Sequence, residues 1–174
     1  MTVHFFRYDP DAPAGPAVLL PEDMKIRCWR PDRDGYPPPR SRRISNLVWW
    51  AFAEAGRFSR PGFAEICLER EGRLLHRLIV TPAWHRFPFM APEDLQIGDV
   101  WTSVAARRKH LARLAIAETH RLFASEQARF WYVTDAKNEP SQALARSCGY
   151  RLVAIGRRTG WAPLLGQYVI EKFV

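Results

Sequence analysis

The chain has 174 residues, of which 47% are hydrophobic and 25% charged, and its formal net charge is +8. A domain of this length buries about 70% of the surface that its unfolded chain exposes, so the composition excludes a mainly disordered chain and a small domain that needs staples to fold. The longest apolar run, LVWWAFA at 47–53, is far shorter than the roughly 20 residues that span a bilayer.

The three cysteines, Cys28, Cys67 and Cys148, are few, odd in number and widely spaced. This usage argues against a disulfide framework and against a zinc cluster. The N-terminal sequence MTVHFFRYDPDAPAG lacks the apolar segment of a secretory signal. We therefore expect a reduced, cytoplasmic protein with no bound metal and no membrane association.

The N-terminal quarter of the chain is rich in proline. Residues 1–43 contain eight of the fourteen prolines, so we predict an irregular arm that packs on a domain formed by residues 44–174. Within the arm, KIRCW at 25–29 is a candidate short strand. The stretch YPPPRSRR at 36–43 is more consistent with a solvated loop than with a nucleic-acid contact, and its arginines are Arg40, Arg42 and Arg43.

A helix and a hairpin follow this arm. Ser45 and Asn46 offer an N-cap for an aromatic-rich helix that Gly56 can end. Two strand-like runs, 63–69 and 73–80, are joined by the turn sequence REG. A proline-broken aromatic loop then covers residues 84–94. Most of the aromatic side chains are expected in the core, and some could line an acceptor pocket; they include Trp49, Trp50, Trp84, Trp101 and the RFPFM segment at 86–90.

The second half of the chain alternates strands and helices. Apolar residues recur at helical spacing over 105–123, and a short helix follows Pro140 and is closed by Gly149. The remaining strand candidates are 95–103, 130–136, 150–158 and 165–174. Because strands occur in adjacent pairs as well as in βα units, we predict an α/β fold with a mixed, mostly antiparallel twisted sheet flanked by helices, rather than a doubly wound fold.

The start of the long helix has the charge pattern of a phosphate site. Unpaired amides and the macrodipole favour anions at any helix N-terminus. The run from Thr102 to Ala117 contains no carboxylate, and its cations are Arg107, Arg108, Lys109 and Arg113. A ligand with a pyrophosphate fits this pattern, and a basic helix start that faces water fits the charge equally well.

Two motifs resemble those of the GNAT acetyltransferase family. TSVAARRKHLARLAIAE is similar to V-x-P-x-x-R/Q-x-x-G-x-G/A, the acetyl-CoA motif, with Thr102, Val104, Arg107 and Ala112 at the V, P, R/Q and final G/A positions. NEPSQALARSCGY resembles the downstream signature N-x-x-S/A-x(7)-G-F/Y, with matches at Asn138, Ser141, Gly149 and Tyr150. The resemblance covers residues 63–174 well and residues 1–62 loosely.

The resemblance implies an acetyl-CoA-dependent N-acetyltransferase with a single GNAT-like domain. In this family the strand before the long helix splays from its neighbour and its backbone pairs with the pantetheine arm, while the following loop amides hold the pyrophosphate. Carried over, these cofactor-binding positions are Trp101, Thr102, Ser103, Val104, Arg107, Arg108, Lys109, His110, Leu111, Ala112, Arg113, Asn138 and Ser141.

The sequence departs from the family pattern at His110, where glycine is usual. Glycine lets the diphosphate approach the backbone closely. A histidine there either adds a hydrogen bond to phosphate or obstructs it. Both alternatives are open at this stage.

The catalytic groups are less evident than the cofactor motif. Amine acetylation needs a base that takes a proton from the acceptor. The family's usual glutamate position holds Gln96, whose amide cannot be a base; Asp94 lies on the same face of the strand by period two and Asp99 on the other. His76 and His85 are further candidates. A turn role for Asp94 and a structural role for His76 are the favoured readings.

The family's general-acid tyrosine falls at Ala145. Tyr132 and Tyr150 are the remaining possible donors. Cys67 and Cys148 have apolar neighbours and no paired histidine, so nucleophilic catalysis is not supported.

Three hypotheses remain in order. The first is acetyl transfer to a primary amine of a small molecule, an amino sugar or a peptide. The second, suggested by Gln96, His110 and Ala145, is an acyl-CoA-binding domain with little turnover. The third, a basic nucleic-acid-binding domain, ranks last because no recognition pattern accompanies the charge. A homodimer is compatible with the sequence.

Overall fold

The computed structural model describes residues 1–9, 11, 19–35, 44–124, 128–160 and 166–174. Within these residues eight strands form one sheet: β1 Thr2–Tyr8, β2 Met24–Trp29, β3 Ala64–Arg70, β4 Arg73–Pro82, β5 Leu95–Thr102, β6 Phe130–Asp135, β7 Tyr150–Arg158 and β8 Tyr168–Phe173. The α-helices are α1 Pro31–Asp34, α2 Ile44–Glu54, α3 Leu111–Phe123 and α4 Glu139–Ser147.

The sheet has the order β2-β3-β4-β5-β6-β1-β7-β8. The β5–β6 pair is parallel, and the other neighbouring pairs are antiparallel. The predicted mixed, mostly antiparallel sheet is therefore confirmed. The predicted hairpin is confirmed as well, since Arg70 pairs with Arg73 and the turn residues Glu71 and Gly72 have φ of 48° and 73°.

The prediction of an irregular segment over residues 1–43 is wrong for β1. This strand lies between β6 and β7 and pairs antiparallel with both. The prolines that suggested an arm begin after it, at residue 10. The candidate strand at 25–29 is confirmed as β2, at one edge of the sheet. The proline-rich stretch 36–43, with its three arginines, lies outside the described residues.

Two layers of side chains cover the sheet. On one face α3 packs through Leu111, Leu114 and Ala115 onto a cluster that includes Phe6 and Tyr132. On the other face aromatic residues of α2 and of the 83–94 loop form a second cluster with Phe5 and Trp131. Phe5 and Phe6 are neighbours in β1 and both fully buried, because successive strand residues point to opposite faces.

The helix boundaries differ from the sequence prediction at two starts. α2 begins at Ile44, before the expected cap, whereas α3 begins at Leu111 instead of residue 105. The reason at α3 is a 3₁₀ turn over Val104–Ala106, followed by positive φ at Arg108 and His110. In the described part of the chain, none of the helices combines the length and the apolar character needed to cross a bilayer.

Candidate active site

Strands β5 and β6 separate partway along their length. Their parallel pairing covers Leu95–Ile97 of β5 against 130–132 of β6. From Gly98 onward β5 continues to pair with β4, as far as Thr102 opposite His76. One backbone edge of residues 98–102 therefore has no ladder partner among the described strands, which is the splay that the family resemblance implied.

A β-bulge interrupts β5 at the point of separation. Between the pairs Ile79–Gly98 and Arg77–Trp101, β5 contains one residue more than β4, and Asp99 has a φ of 47°. A bulge turns the side chains that follow it to the other face. The expectation that Asp99 and Gln96 face opposite sides of the strand is therefore wrong, since both line one cavity.

This cavity, of about 230 Å³, lies on the face of the sheet away from α3 and α4. Its lining residues are Trp49, Ile79, Thr81, Arg86, Phe87, Gln96, Gly98, Asp99, Val133 and Tyr168. Sequence reasoning pointed to Trp49 and to the 86–90 segment only in general terms. It missed Thr81 and Tyr168, for which the sequence alone offers no signal.

The amide of Gln96 is fixed by hydrogen bonds on both sides. Thr81 Oγ1 donates to Gln96 Oε1 at 2.9 Å, and Gln96 Nε2 donates to the carbonyl of Ile97 at 2.7 Å. A Cβ at Gly98 would stand 2.8 Å from Gln96 Nε2, so a glycine is needed to leave room for this amide. Gln96 is thus a positioned part of the cavity wall with no proton to exchange.

Asp99 is the carboxylate of the cavity. Its side chain is 49% exposed, and the largely buried guanidinium of Arg77 binds both of its oxygens, with Nη2 donating to Oδ1 at 3.3 Å. This two-point contact fixes the carboxylate at the bulge, because a planar guanidinium matches a carboxylate geometrically. Asp99 therefore combines a defined position with access to solvent.

The other proposed bases lie elsewhere. Asp94 is buried at the N-terminal end of β5, where its Oδ2 accepts from the Ala91 N–H at 3.0 Å and from Trp131 Nε1 at 2.8 Å. These contacts match the turn role. His85 is exposed and contacts Gln167, and neither Asp94 nor His85 lines the cavity.

His76 is a structural histidine in the described structure. It is buried in β4 with Nδ1 2.8 Å from Thr102 Oγ1. Burial, assisted by the neighbouring Arg77 charge, lowers the pKa of His76 to about 4. The imidazole is therefore neutral at physiological pH, and it connects β4 to the end of β5.

The buried phenols and thiols are held in their protonated forms. Burial raises the pKa of Tyr150, whose hydroxyl contacts His120 Nε2 at 2.8 Å, and that of Tyr132, whose hydroxyl shares a hydrogen bond with Ser141 Oγ at 2.9 Å. Burial likewise raises the pKa of Cys28 to about 11 and that of Cys148 above its ordinary value. Neither thiol is a ready nucleophile.

A basic groove of about 400 Å³ lies on the opposite face, between the start of α3 and one side of α4. It brings together seven of the predicted cofactor residues: Thr102, Arg107, Arg108, His110, Leu111, Ala112 and Arg113. α4 contributes four residues that sequence reasoning missed: Pro140, Ala143, Leu144 and Ser147. Their spacing of i, i+3, i+4 and i+7 marks one helix face and is the signal that could have found them.

The remaining predicted cofactor residues do not line the groove. Val104 is 77% exposed, and Trp101 is 37% exposed on the β5 edge. Asn138 caps α4 by accepting from the Ser141 N–H at 3.1 Å. Ser103 and Lys109 are also outside the lining. Among the described residues, no group of three or more His, Cys, Asp or Glu side chains is placed to bind a metal ion.

The backbone of the groove is arranged for a close ligand. Arg108 and His110 have φ of 63° and 56°, and His110 precedes α3 without a side-chain cap bond. The first amides of a helix have no partner within the helix, and successive amides in such turns form concave anion sites. The described lining of the groove contains arginines and no carboxylate.

The chain belongs to the acetyltransferase (GNAT) family, whose family model matches residues 23–150. The match includes β2 to α4 and excludes β1. Class and fold therefore agree with the resemblance in the two motifs. No match was found among curated proteins.

Solved structures with the same fold are distant in sequence. A GCN5-related N-acetyltransferase from Sphaerobacter thermophilus is 14% identical with a TM-score of 0.60, over 88% of this chain and 49% of that one. A GNAT-family protein from Novosphingobium aromaticivorans is 15% identical with a TM-score of 0.55, over 88% and 61%. The chain thus spans about half to three-fifths of the length of these relatives.

A shorter relative has a more complete overlap. The aminoglycoside N-acetyltransferase AAC(6')-Iy, solved with CoA, is 12% identical with a TM-score of 0.52, over 73% of this chain and 91% of that one. At such identities the likeness concerns the fold alone.

Proposed function

We propose that this protein is an acetyl-CoA-dependent N-acetyltransferase that acts on a primary amine of a small molecule, an amino sugar or a peptide. The observation that carries the proposal is the unpaired edge of β5. It contributes Thr102 to the basic groove on one face, and Gly98 and Asp99 to the cavity on the other. One strand edge therefore runs from a site for a phosphorylated carrier to a site for an acceptor.

The groove has the chemistry that acetyl-CoA requires. Acetyl-CoA supplies an acetyl group activated as a thioester. The backbone of residues 101–104 would pair with its pantetheine arm, and the 107–113 segment would hold its phosphates through amides and guanidinium groups. Asn138 and Ser141 stay predicted contacts at the start of α4.

Asp99 is the residue to which we assign the base. An acceptor ammonium in the cavity meets this half-exposed carboxylate, which takes its proton directly or through water and leaves a nucleophilic amine. Gln96 orders the cavity wall beside it. Ala145 offers no proton to the departing thiolate, and the absence of a phenol there is the observation that favours the second candidate, an acyl-CoA-binding domain with little turnover.

Cofactor binding is tested by thermal unfolding with acetyl-CoA, with ATP as the control. A ligand at 100 times its dissociation constant adds about 2.7 kcal/mol of stability, so a clear rise in Tm is expected. Arg107→Gln together with Arg108→Gln should reduce the rise. The matched control Arg121→Gln, an exposed arginine of α3 paired with Glu118, should retain it. No shift at millimolar acetyl-CoA contradicts both candidate functions.

The base is tested by thiol release over a panel of amines. Asp99→Asn should lower kcat about 100-fold or more, the usual contribution of a general base, while the acetyl-CoA shift in Tm is retained. Asp23→Asn, which alters a surface carboxylate also paired with an arginine, is the control. Full activity of Asp99→Asn would place the base elsewhere, and a wild-type protein that binds acetyl-CoA without releasing thiol would support the second candidate.

A further inference from the structure

The acceptor cavity contains a guanidinium that no carboxylate neutralises. Arg86 lines the cavity, its Cζ lies 5.1 Å from the centre of the Tyr168 ring, and its Nη2 donates weakly to Tyr168 Oη at 3.4 Å. Its Nε is buried without a hydrogen-bond partner. No carboxylate of the described residues forms an ion pair with Arg86, whereas Asp99 is already bound by Arg77. The cavity therefore has a surplus positive charge.

The walls around Arg86 are apolar and aromatic. The Phe87 and Tyr168 rings stack with centroids 5.6 Å apart and an interplanar angle of 15°, and Trp49 contributes a further wall. The volume of about 230 Å³ lies below the about 300–1,000 Å³ of sites for drug-sized ligands. The part of the acceptor that enters the cavity is therefore small and includes an apolar or planar group.

Arg86 is held in place before any acceptor binds. The Tyr168 N–H donates to the carbonyl of Arg86 at 2.9 Å, and Gln167 Nε2 donates to the carbonyl of His85 at 3.0 Å. These bonds attach the 83–94 loop to the start of β8. A charge fixed in this way binds an anion without a further cost of ordering.

We propose that the acceptor is a small amino acid-like amine that carries an apolar or aromatic body and a carboxylate, and that Arg86 binds the carboxylate. The inference rests on the acetyltransferase function proposed above and narrows its acceptor class. The amine lies toward Asp99 and the carboxylate toward Arg86, both of which line the cavity. A polycationic acceptor such as an aminoglycoside is disfavoured, because the surplus charge repels it.

The wild-type protein tests this with matched acceptors. A panel of amino acids that includes L-phenylalanine and L-leucine is compared with the corresponding carboxamides, which lack only the negative charge. We expect kcat/KM to favour the carboxylate by about tenfold or more in the preferred pair, the effect of a charge-assisted hydrogen bond. A panel in which no pair favours the carboxylate overturns the proposal.

Variants of Arg86 assign the preference to this side chain. Arg86→Gln should bring the ratio of carboxylate to carboxamide close to one, and Arg86→Lys should retain part of it. Arg73→Gln, an exposed arginine of the β3–β4 turn, should keep the wild-type ratio. A preference that survives in Arg86→Gln overturns the assignment.

A binding measurement separates this inference from the function on which it rests. Trp49 lines the cavity, so its fluorescence reports occupancy by the product N-acetyl-L-phenylalanine or by its carboxamide in the presence of CoA. Binding of CoA together with a preference for the carboxylate supports the inference without any turnover. Binding of CoA without that preference overturns the acceptor class alone, whereas failure to bind CoA overturns the proposed function.

Discussion

Backbone conformation at single residues distinguishes the site from the rest of the chain. Four non-glycine residues of the described chain have positive φ: Glu71, Asp99, Arg108 and His110. Glu71 belongs to a hairpin turn, but the other three line the cavity or the groove. A left-handed conformation costs an L-residue about 1–2 kcal/mol and persists where its surroundings impose it. The strain is thus concentrated at the two proposed ligand sites.

His110 offers a direct measurement of this strain. His110→Gly and His110→Ala both remove the imidazole and differ in that only glycine adopts φ near 56° freely. We expect the glycine variant to unfold with a free energy about 1 kcal/mol higher than the alanine variant, in denaturant titrations of both. Equal stabilities would show that the turn relaxes in solution.

At the scale of elements, two buried histidines connect neighbouring segments. His76 joins β4 to the end of β5 through Thr102, and His120 joins α3 to β7 through the hydroxyl of Tyr150. Burial lowers the pKa of each histidine from 6.5 to about 4. Both are neutral in the folded protein at pH values where an unfolded chain protonates them.

Stability should therefore fall with pH in a defined window. Between pH 6.5 and about 4 the unfolded chain binds one more proton at each histidine, so the free energy of unfolding decreases as pH decreases. We expect a loss of about 2 kcal/mol per histidine between pH 7.5 and 5, measured by denaturant titration. His120→Gln and His76→Gln should each flatten the profile, and an unchanged slope in both variants would contradict the assignment.

The elements that local pattern specifies are those that the sequence predicts well. The hairpin of β3 and β4, the strands β5 and β6 and the body of α3 follow from alternation, turn residues and helical spacing. The bulge at Asp99 does not follow, because period two assumes a regular strand. The start of α3 at Leu111 is also missed, since Arg108 and His110 adopt φ values that their residue types do not announce.

The candidate site is predictable on the cofactor side and much less so on the acceptor side. The groove residues lie close together in sequence and follow a family motif, so Arg107, Arg108 and Arg113 could be named in advance. The cavity combines α2, the 83–94 loop, β5 and β8. Only the tertiary fold brings Arg86 and Tyr168 together, and no local pattern encodes that contact.

At the scale of the whole molecule, the sheet consists of two halves that meet at a short seam. β2 to β5 form an antiparallel meander, and β6, β1, β7 and β8 form the other half. Three parallel residue pairs join the halves, between Leu95–Ile97 and 130–132. The same seam opens into the proposed active site, so the stability of the second half depends strongly on β1 at its centre.

Truncation of either phenylalanine of β1 should destabilise the whole protein. Phe5 and Phe6 are fully buried in different layers, and loss of such a side chain costs about 3–5 kcal/mol. We expect Phe5→Ala and Phe6→Ala each to lower Tm strongly, measured by circular dichroism. Thr2→Ala, at the exposed start of the same strand, should unfold like the wild type. A small loss from both phenylalanine variants would show that β1 contributes little to the sheet.

The place of β1 also has a consequence for the order in which the chain is made. Of the eight strands it leaves the ribosome first, yet its two neighbours, β6 and β7, follow long after it. At typical synthesis rates of 5–20 residues per second, the nascent segment TVHFFRY waits roughly 8 to 30 s for β7 to be translated. During that interval its apolar side chains are available to molecular chaperones and to other nascent chains. The first strand synthesised is therefore among the last that can take its place.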